Sequence, residues 1–270
     1  MTSINIITEP DVVYMFGDGA SYDKDGVLLS ITGKAYVLSS LSAAFLFSGR
    51  SICAPFIAHH LDRQASDFDE LKATIATRLP AMIEHLTDLY GADEKHEDAG
   101  QGLRLFVGGW SASRRRPVSF MIGTTEVAGI PPYTPTEPRA GGGWQSPGLS
   151  AEQCMLGFGG PPAVNAQTIA NVAVTTLELQ RQGEAASGEV VSVGGLVELV
   201  EVRRDQTEVR ILHRWPEDRV GEVMKPVPVD WKQWRRDYPV NSAPIGLSAD
   251  VPDGLNRQQR RQLDRQRRRA

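Results

Sequence analysis

The 270-residue sequence predicts an α+β fold in which blocks of antiparallel strands alternate with groups of helices. Three observations support this prediction. Short apolar runs separated by turn residues crowd the N-terminal part, apolar residues spaced at three and four follow, and further strand-like runs come later. Helices grouped between blocks of strands favour packed layers over a parallel sheet with alternating strands and helices.

The predicted strands are short apolar runs bounded by turn residues such as Glu9-Pro10-Asp11 and Asp23–Gly26. Spacing this close is typical of hairpins in an antiparallel sheet. The last two strands are expected to form a hairpin around Arg204-Asp205-Gln206. The predicted strands are Ser3–Ile7, Val12–Phe16, Val27–Ile31, Ala35–Leu38, Ala43–Phe47, Leu103–Gly108, Val118–Gly123, Gln153–Phe158, Val190–Val202 and Glu208–His213.

Helices are predicted after Gly49, from Ser66 to about Leu89, and from about Val164 to Gln182. Ser66 is a suitable N-cap, and acidic residues occupy the first turn that follows it. Pro80 should kink or split the second helix, because proline lacks a backbone N–H. Residues 130–148 are rich in Pro and Gly and are expected to form an insertion loop.

Periodicity fades after Trp215, which divides the chain into a folded domain (1–215), an extended linker (216–253) and a basic tail (254–270). The tail holds seven Arg and one Asp, a net charge of +6, so the rest of the chain carries −10 against a total of −4. This tail could dock on an acidic partner, contact phosphates or remain a soluble extension. No aromatic residue is interleaved for base stacking, which favours a protein partner or a plain tail over nucleic acid.

Composition excludes several classes of protein. Two cysteines, Cys53 and Cys154, are too few for a disulfide scaffold or a Cys-rich zinc module and fit a reducing compartment. The adjacent His59 and His60 point to different helix faces, so we expect no metal and no cofactor. Neither a membrane-spanning run nor a secretory signal is evident, and we therefore expect a cytoplasmic protein that does not bind membranes.

A candidate catalytic group begins at Thr2, which becomes N-terminal if Met1 is trimmed. A free N-terminal threonine carries a hydroxyl nucleophile and an α-amine of pKa about 7.7–8.0 that can accept the hydroxyl proton. Lys34 would favour the neutral amine and the developing alkoxide, and Asp18 would hold that lysine. Each residue alone also fits an ordinary role, since Asp18 suits a turn and Lys34 a solvated hairpin.

These residues give the sequence a resemblance to the proteasome β-subunit family of N-terminal nucleophile hydrolases, above all to its HslV-type peptidases. The resemblance covers about residues 2–213. The matching segments are Thr2, Gly17-Asp18-Gly19-Ala20, Lys34, Phe47-Ser48-Gly49, Gly157-Phe158-Gly159-Gly160-Pro161 and Glu184-Ala185-Ala186-Ser187-Gly188.

The resemblance implies a four-layer αββα sandwich and specific roles for the matching residues. Thr2 would be nucleophile and, through its amine, general base, while Asp18 orients Lys34. The Gly49 N–H would stabilise the oxyanion, and Glu184 and Ser187 would help to orient the N-terminus. Two positions depart from the family pattern: Glu184 replaces an Asp, and Phe158 replaces a Ser that hydrogen-bonds the amine.

The resemblance therefore implies a threonine-type peptide hydrolase that acts on polypeptides, forms homo-oligomeric rings and works with an ATP-dependent unfoldase. A second hypothesis is a catalytically inactive member of the same fold that serves as a structural or assembly protein. Phe158 and the basic tail, which could bind a partner, favour this alternative.

Overall fold

The structure is a computed structural model that describes residues 2–49, 53–90, 102–138 and 143–240. The predicted basic tail (254–270), the second half of the predicted linker (241–253) and residues 139–142 of the predicted insertion loop lie outside these residues. The described part contains strands β1 to β11 and helices α1 to α5, numbered in chain order. The strands are β1 (Ile4–Thr8), β2 (Val13–Asp18), β3 (Ala20–Tyr22), β4 (Leu28–Ile31), β5 (Ala35–Leu38), β6 (Ala43–Ser48), β7 (Arg104–Ser111), β8 (Arg116–Gly123), β9 (Trp144–Ser146), β10 (Leu196–Val202) and β11 (Thr207–Arg214). The helices are α1 (Cys53–Gln64), α2 (Phe68–Tyr90), α3 (Ala151–Phe158), α4 (Ile169–Ser187) and α5 (Trp231–Asp237).

The strands form two large antiparallel sheets and one small hairpin. The five-stranded sheet has the order β11-β10-β2-β1-β9, and the four-stranded sheet has the order β5-β6-β7-β8. Strands β3 and β4 pair with each other and connect the two. The predicted class, antiparallel sheets with helices grouped between strand blocks, is confirmed.

Three apolar clusters join these sheets and helices. Residues of both sheets share one cluster, in which Met15 and Ile6 of the five-stranded sheet meet Leu46 and Phe106 of the four-stranded sheet. Helices α1 and α2 pack with the four-stranded sheet in a second cluster. Helix α4 packs with β2 and β10 in the third. Burial of such side chains is worth about 1.5–3 kcal/mol each, which makes these clusters the main source of stability.

Helix α2 begins as predicted and continues past Pro80 without being split. Asp67 accepts a hydrogen bond from the Glu70 amide at 2.8 Å, which satisfies a free N–H of the first turn. Leu71, Ile75 and Leu79 are fully buried along one face. Packing of this face maintains the helix across the one backbone hydrogen bond that proline cannot donate.

The predicted strand Gln153–Phe158 is wrong, because residues 151–158 form α3. The side chain of Ser150 accepts a hydrogen bond from the Gln153 amide, and the Gln153 side chain accepts one from the Ser150 amide. This reciprocal capping box fixes the start of a helix. Helix α4 also differs from prediction, since it extends to Ser187 and therefore includes the segment expected to lead into a strand.

The prediction of an extended linker from residue 216 is wrong as far as residue 240. Asp218 is buried and forms an ion pair with Arg181 of α4 at 2.6 Å. The Leu28 amide donates to the Glu222 carbonyl at 2.9 Å, so this segment also pairs with β4. Helix α5 follows, and its Trp234 donates to Thr175 of α4 at 3.0 Å. These long-range contacts attach residues 216–240 to the folded body.

Candidate active site

The site begins where the N-terminal strand runs beside β2. Ile4 of β1 lies opposite Gly17 of β2, so the chain just before Ile4 passes the end of β2. A Cβ atom on Gly17 would lie 2.8 Å from the Ser3 carbonyl oxygen, closer than real Cβ contacts come. Glycine at position 17 thus allows the two backbones to approach and places Thr2 beside Asp18.

Asp18 is fully buried and is held by backbone amides. Its Oδ1 accepts from the Ser3 amide at 2.9 Å, and its Oδ2 accepts from the Ala20 amide at 3.0 Å. The Gly194 amide lies 3.5 Å from Oδ2. Buried charged groups need partners of this kind, because burial removes the hydration that stabilises them in water.

Lys34 completes the buried pair and links it to Thr2. Its Nζ lies 3.0 Å from both Asp18 carboxylate oxygens and 3.4 Å from Thr2 Oγ1. The lysine side chain is 15% exposed and the aspartate 0% exposed, so water screens their attraction little. An ammonium group has three N–H donors, enough for both carboxylate contacts and one hydrogen bond to the threonine hydroxyl.

Glu198 of β10 positions the backbone of Lys34 and was missed by the sequence analysis. Its Oε2 accepts from the Lys34 and Ala35 amides, each at 2.9 Å. Burial raises the pKa of Glu198, against the lowering effects of those two amides and of the Lys34 charge. A Cβ on Gly33 would lie 2.3 Å from Glu198 Oε1, so glycine there makes room for this carboxylate. The available signal was a lone acid in the apolar run Leu196–Val202.

A second buried polar group fixes the first strand from below. The Ser3 hydroxyl donates to the Gln180 side-chain carbonyl, and Asn5 Nδ2 donates to Ser3 Oγ at 3.1 Å. Gln180 Nε2 in turn donates to Asn5 Oδ1 at 3.2 Å and to the Pro147 carbonyl. Ser3, Asn5 and Gln180 were not predicted as site residues, and no short motif joins them because α4 is remote from β1 in sequence.

Gly49 follows directly after β6 and has a φ of +141°, a conformation that side chains disfavour. The register of β5 and β6 pairs Ala35 with Leu46, so Gly49 lies beyond the end of β6 at which Lys34 precedes β5. The structure therefore brings Gly49 to the same end of this sheet as Lys34.

Glu184 and Ser187, by contrast, make their hydrogen bonds away from Thr2. Glu184 accepts from the amides of Ser192 and Val193 at 2.7 and 3.1 Å, which holds the loop that leads to Gly194. The Ser187 hydroxyl donates to the Glu184 carbonyl at 2.8 Å in the last turn of α4 and is exposed. Both residues belong to a helix end here, because α4 is longer than predicted.

Phe158 is buried as the last residue of α3, before the left-handed Gly159 cap. It offers no hydroxyl to an N-terminal amine. Among the described residues, no group of three or more His, Cys, Asp or Glu side chains is arranged to hold a metal ion. Within the same part of the chain, no helix combines the length and the apolar character needed to cross a bilayer.

Comparison with known proteins identifies the fold. No protein-family model matches the chain, and no curated protein sequence matches it. Among solved structures, the chain is similar to a Gly-1 mutant of Anbu from Hyphomicrobium sp. strain MC1. The TM-score is 0.57 at 10% sequence identity, and the match covers 88% of this chain and 94% of the Anbu chain. Anbu is a proteasome-like protein, and at this identity the likeness shows an N-terminal-nucleophile-like fold alone.

The predicted membership of the proteasome β-subunit family and its HslV-type peptidases is therefore wrong. No family model supports it, and the structural likeness is to Anbu, which is distinct from HslV. The physical reason lies in the motifs themselves. Gly17, Asp18 and Gly33-Lys34 are demanded by close backbone approach and a buried ion pair, features that a shared fold can impose without close kinship.

Proposed function

We propose that this protein is an N-terminal threonine hydrolase of amide bonds, with Thr2 as its nucleophile after removal of Met1. One observation carries the proposal: the Lys34 ammonium lies 3.4 Å from Thr2 Oγ1 and is itself held by Asp18 at 3.0 Å. A positive charge held beside a hydroxyl favours its deprotonated form, and the protein rather than water supplies that charge.

In the first step, Thr2 Oγ1 bonds to the substrate carbonyl carbon, and its proton passes to the threonine α-amine. The carbonyl oxygen becomes an oxyanion, for which the Gly49 N–H is the proposed donor. Lys34 stabilises the negative charge that develops on Oγ1 during attack. Asp18 is a positioning residue in this scheme, since it touches Lys34 and the Ser3 amide but not the reacting atoms.

In the second step, the protonated α-amine gives its proton to the leaving nitrogen, and the amide C–N bond breaks. An ester between Thr2 and the acyl part of the substrate remains. A water molecule then attacks this ester while the amine accepts its proton, which releases the acid and regenerates threonine. The same amine thus acts as base and acid in turn.

The proposed substrate is a polypeptide segment, and the proposed architecture is a four-layer αββα sandwich. The apolar cluster shared by the sheets and the helix clusters on the other face of each sheet support this order of layers. Assembly into homo-oligomeric rings and delivery of unfolded chains by an ATP-dependent unfoldase stay predictions that rest on the resemblance to known peptidases.

A second candidate is a catalytically inactive protein of the same fold. Phe158 lacks a hydroxyl, and Glu184 and Ser187 form their hydrogen bonds within α4 and the following loop. In this reading, the Asp18–Lys34 pair is a structural ion pair that anchors the first strand.

Cleavage of fluorogenic peptides separates the two candidates. Hydrolysis requires that Thr2→Ala lower turnover by about 10³-fold or more, the scale of losing a nucleophile, while Thr2→Ser keeps measurable turnover. Thr77→Ala is the matched control, because Thr77 is exposed on α2 and donates only to the Thr74 carbonyl among the contacts described. If wild type and Thr2→Ala cleave equally, or if neither cleaves once Met1 is removed, the hydrolase proposal is wrong.

A further inference from the structure

A cavity of about 310 Å³ lies between α4, the C-terminal end of β11 and the segment leading into α5. We call it the C-terminal groove and define it by three aromatic residues, His213, Trp215 and Trp234, and by four carboxylates. Its size is at the lower end of the range of about 300–1,000 Å³ for ligand sites, which suits one long side chain better than a folded segment.

The aromatic wall is built from rings on three elements. The His213 ring lies 5.4 Å from Trp215 and 6.4 Å from Trp234, edge to face in both pairs. Trp234 is fixed by its hydrogen bond to Thr175 at 3.0 Å, and Trp215 by one to Glu178 at 2.7 Å. Burial lowers the pKa of His213 below 6.5, so this ring adds no positive charge at neutral pH. Indole faces attract cations through their quadrupole.

The carboxylates Glu178, Glu217, Asp230 and Asp237 line the same cavity, and its lining contains no Lys or Arg. Asp230 caps α5, and Asp237 accepts from Gln233 at 2.8 Å. The buried Arg181 lies behind the groove and over the Trp215 ring, but Asp218 neutralises it in an ion pair at 2.6 Å. Aromatic faces and acids in one cavity match a guanidinium group, which is planar, weakly hydrated and able to pair with carboxylates.

We propose that the C-terminal groove binds an arginine side chain from residues 254–270 of the same chain. That segment carries seven Arg and a net charge of +6. The described chain reaches Val240 at the rim of the groove, where the Tyr238 hydroxyl lies 3.3 Å from His213 and Asn171 donates to the Pro239 carbonyl at 2.9 Å. Its charge is therefore opposite to that of the groove, and its covalent attachment begins there.

The length of the connection also favours binding within one molecule. Seventeen residues separate Val240 from Arg257, and an extended chain spans about 3.3 Å per residue, far more than the return to an adjacent groove requires. Tethering over so short a path gives an effective concentration on the order of millimolar, so a modest intrinsic affinity keeps the groove occupied.

The test uses the full chain and a fluorescent peptide with the sequence of residues 254–270. Peptide binding by fluorescence anisotropy is compared between wild type and a full-length variant whose seven tail arginines are changed to Gln. The peptide is expected to bind this Gln-tail variant about tenfold more tightly, because the wild-type tail competes for the groove. Equal affinities for the two proteins would overturn the proposal.

Groove substitutions in the Gln-tail background test the location. Glu217→Gln with Asp237→Asn should weaken peptide binding about tenfold, whereas Asp205→Asn with Glu208→Gln should leave it unchanged. The control pair removes the same charge from exposed positions near the other end of β11. Thermal unfolding verifies that all variants are folded, and an equal effect of both pairs would overturn the assignment to the groove.

Two further measurements address other occupants and other readings. A peptide with Lys in place of Arg should bind severalfold more weakly, and equal binding would show that charge alone is recognised, against a guanidinium site. Sedimentation velocity should give the same mass distribution for wild type and the Gln-tail variant. Association that depends on the tail arginines would mean that the tail reaches a second copy, which overturns binding within one chain.

Discussion

The backbone amide of Ser3 donates a hydrogen bond to the buried Asp18 carboxylate at 2.9 Å. The same carboxylate holds Lys34 at 3.0 Å, so a single acid fixes both the strand that follows Thr2 and the cation that faces its hydroxyl. The geometry around Thr2 therefore depends on one ion pair and on the close approach of β1 to β2 rather than on Thr2 alone.

The first prediction concerns that ion pair. Lys34→Met should lower the free energy of unfolding by about 3–5 kcal/mol, because it leaves Asp18 as an uncompensated buried charge. Adding Asp18→Asn should recover part of this loss, since the amide is neutral and its oxygen can still accept from backbone amides. Urea denaturation of the two variants gives both values, and a double variant less stable than Lys34→Met would contradict the account.

The second prediction concerns the space at Gly17. Gly17→Ala should cost about 1–3 kcal/mol of stability, because the added Cβ would lie 2.8 Å from the Ser3 carbonyl and displace the first strand. Gly148→Ala is the matched control, since nothing lies within 4 Å of a Cβ there, and its effect should stay within about 0.5 kcal/mol. Similar midpoints in urea for the two variants would show that the close approach is unimportant.

The third prediction concerns the pH dependence contributed by Glu198. Burial raises its folded pKa above the ordinary value of 4.5, so folding favours the protonated acid. The stabilisation from this group is present in full below pH 4.5 and is lost as pH rises through the folded pKa. Glu198→Gln keeps an acceptor oxygen for the Lys34 and Ala35 amides but does not titrate.

Wild type should therefore lose stability relative to Glu198→Gln as pH rises above 4.5, and the difference should level off above the folded pKa. Denaturant unfolding of both proteins across a pH series measures this difference directly, and the other titrating groups cancel in the comparison. A difference that stays constant, or that changes in favour of wild type, would exclude a raised pKa.

The parts of the site that the sequence predicted are those encoded locally. Asp18 and Lys34 lie in short glycine-containing turns next to strand ends, and strand pairing brings such ends together. Glu198 and Gln180 were missed, because their roles arise from contacts between elements more than a hundred residues apart in sequence. Neither residue has a neighbouring motif, and only its burial identifies it.

The errors in the fold prediction have a similar physical origin. Residues 153–158 form a short apolar run that fits a strand or a helix, and only the Ser150–Gln153 capping box distinguishes the two. The end of α4 was placed too early, which made Glu184 and Ser187 look like residues at the start of a strand. Residues 216–240 have little periodicity because their anchors are single contacts such as Asp218–Arg181.

The central claim is that Thr2 is a free, activated nucleophile, and intact-mass spectrometry tests it most directly. Purified protein would be weighed before and after reaction with an electrophilic peptide that modifies N-terminal threonine. The account predicts a mass that lacks Met1, one covalent adduct located on Thr2, and no adduct on Thr2→Ala. Retention of Met1, or a processed protein that forms no adduct, would contradict it.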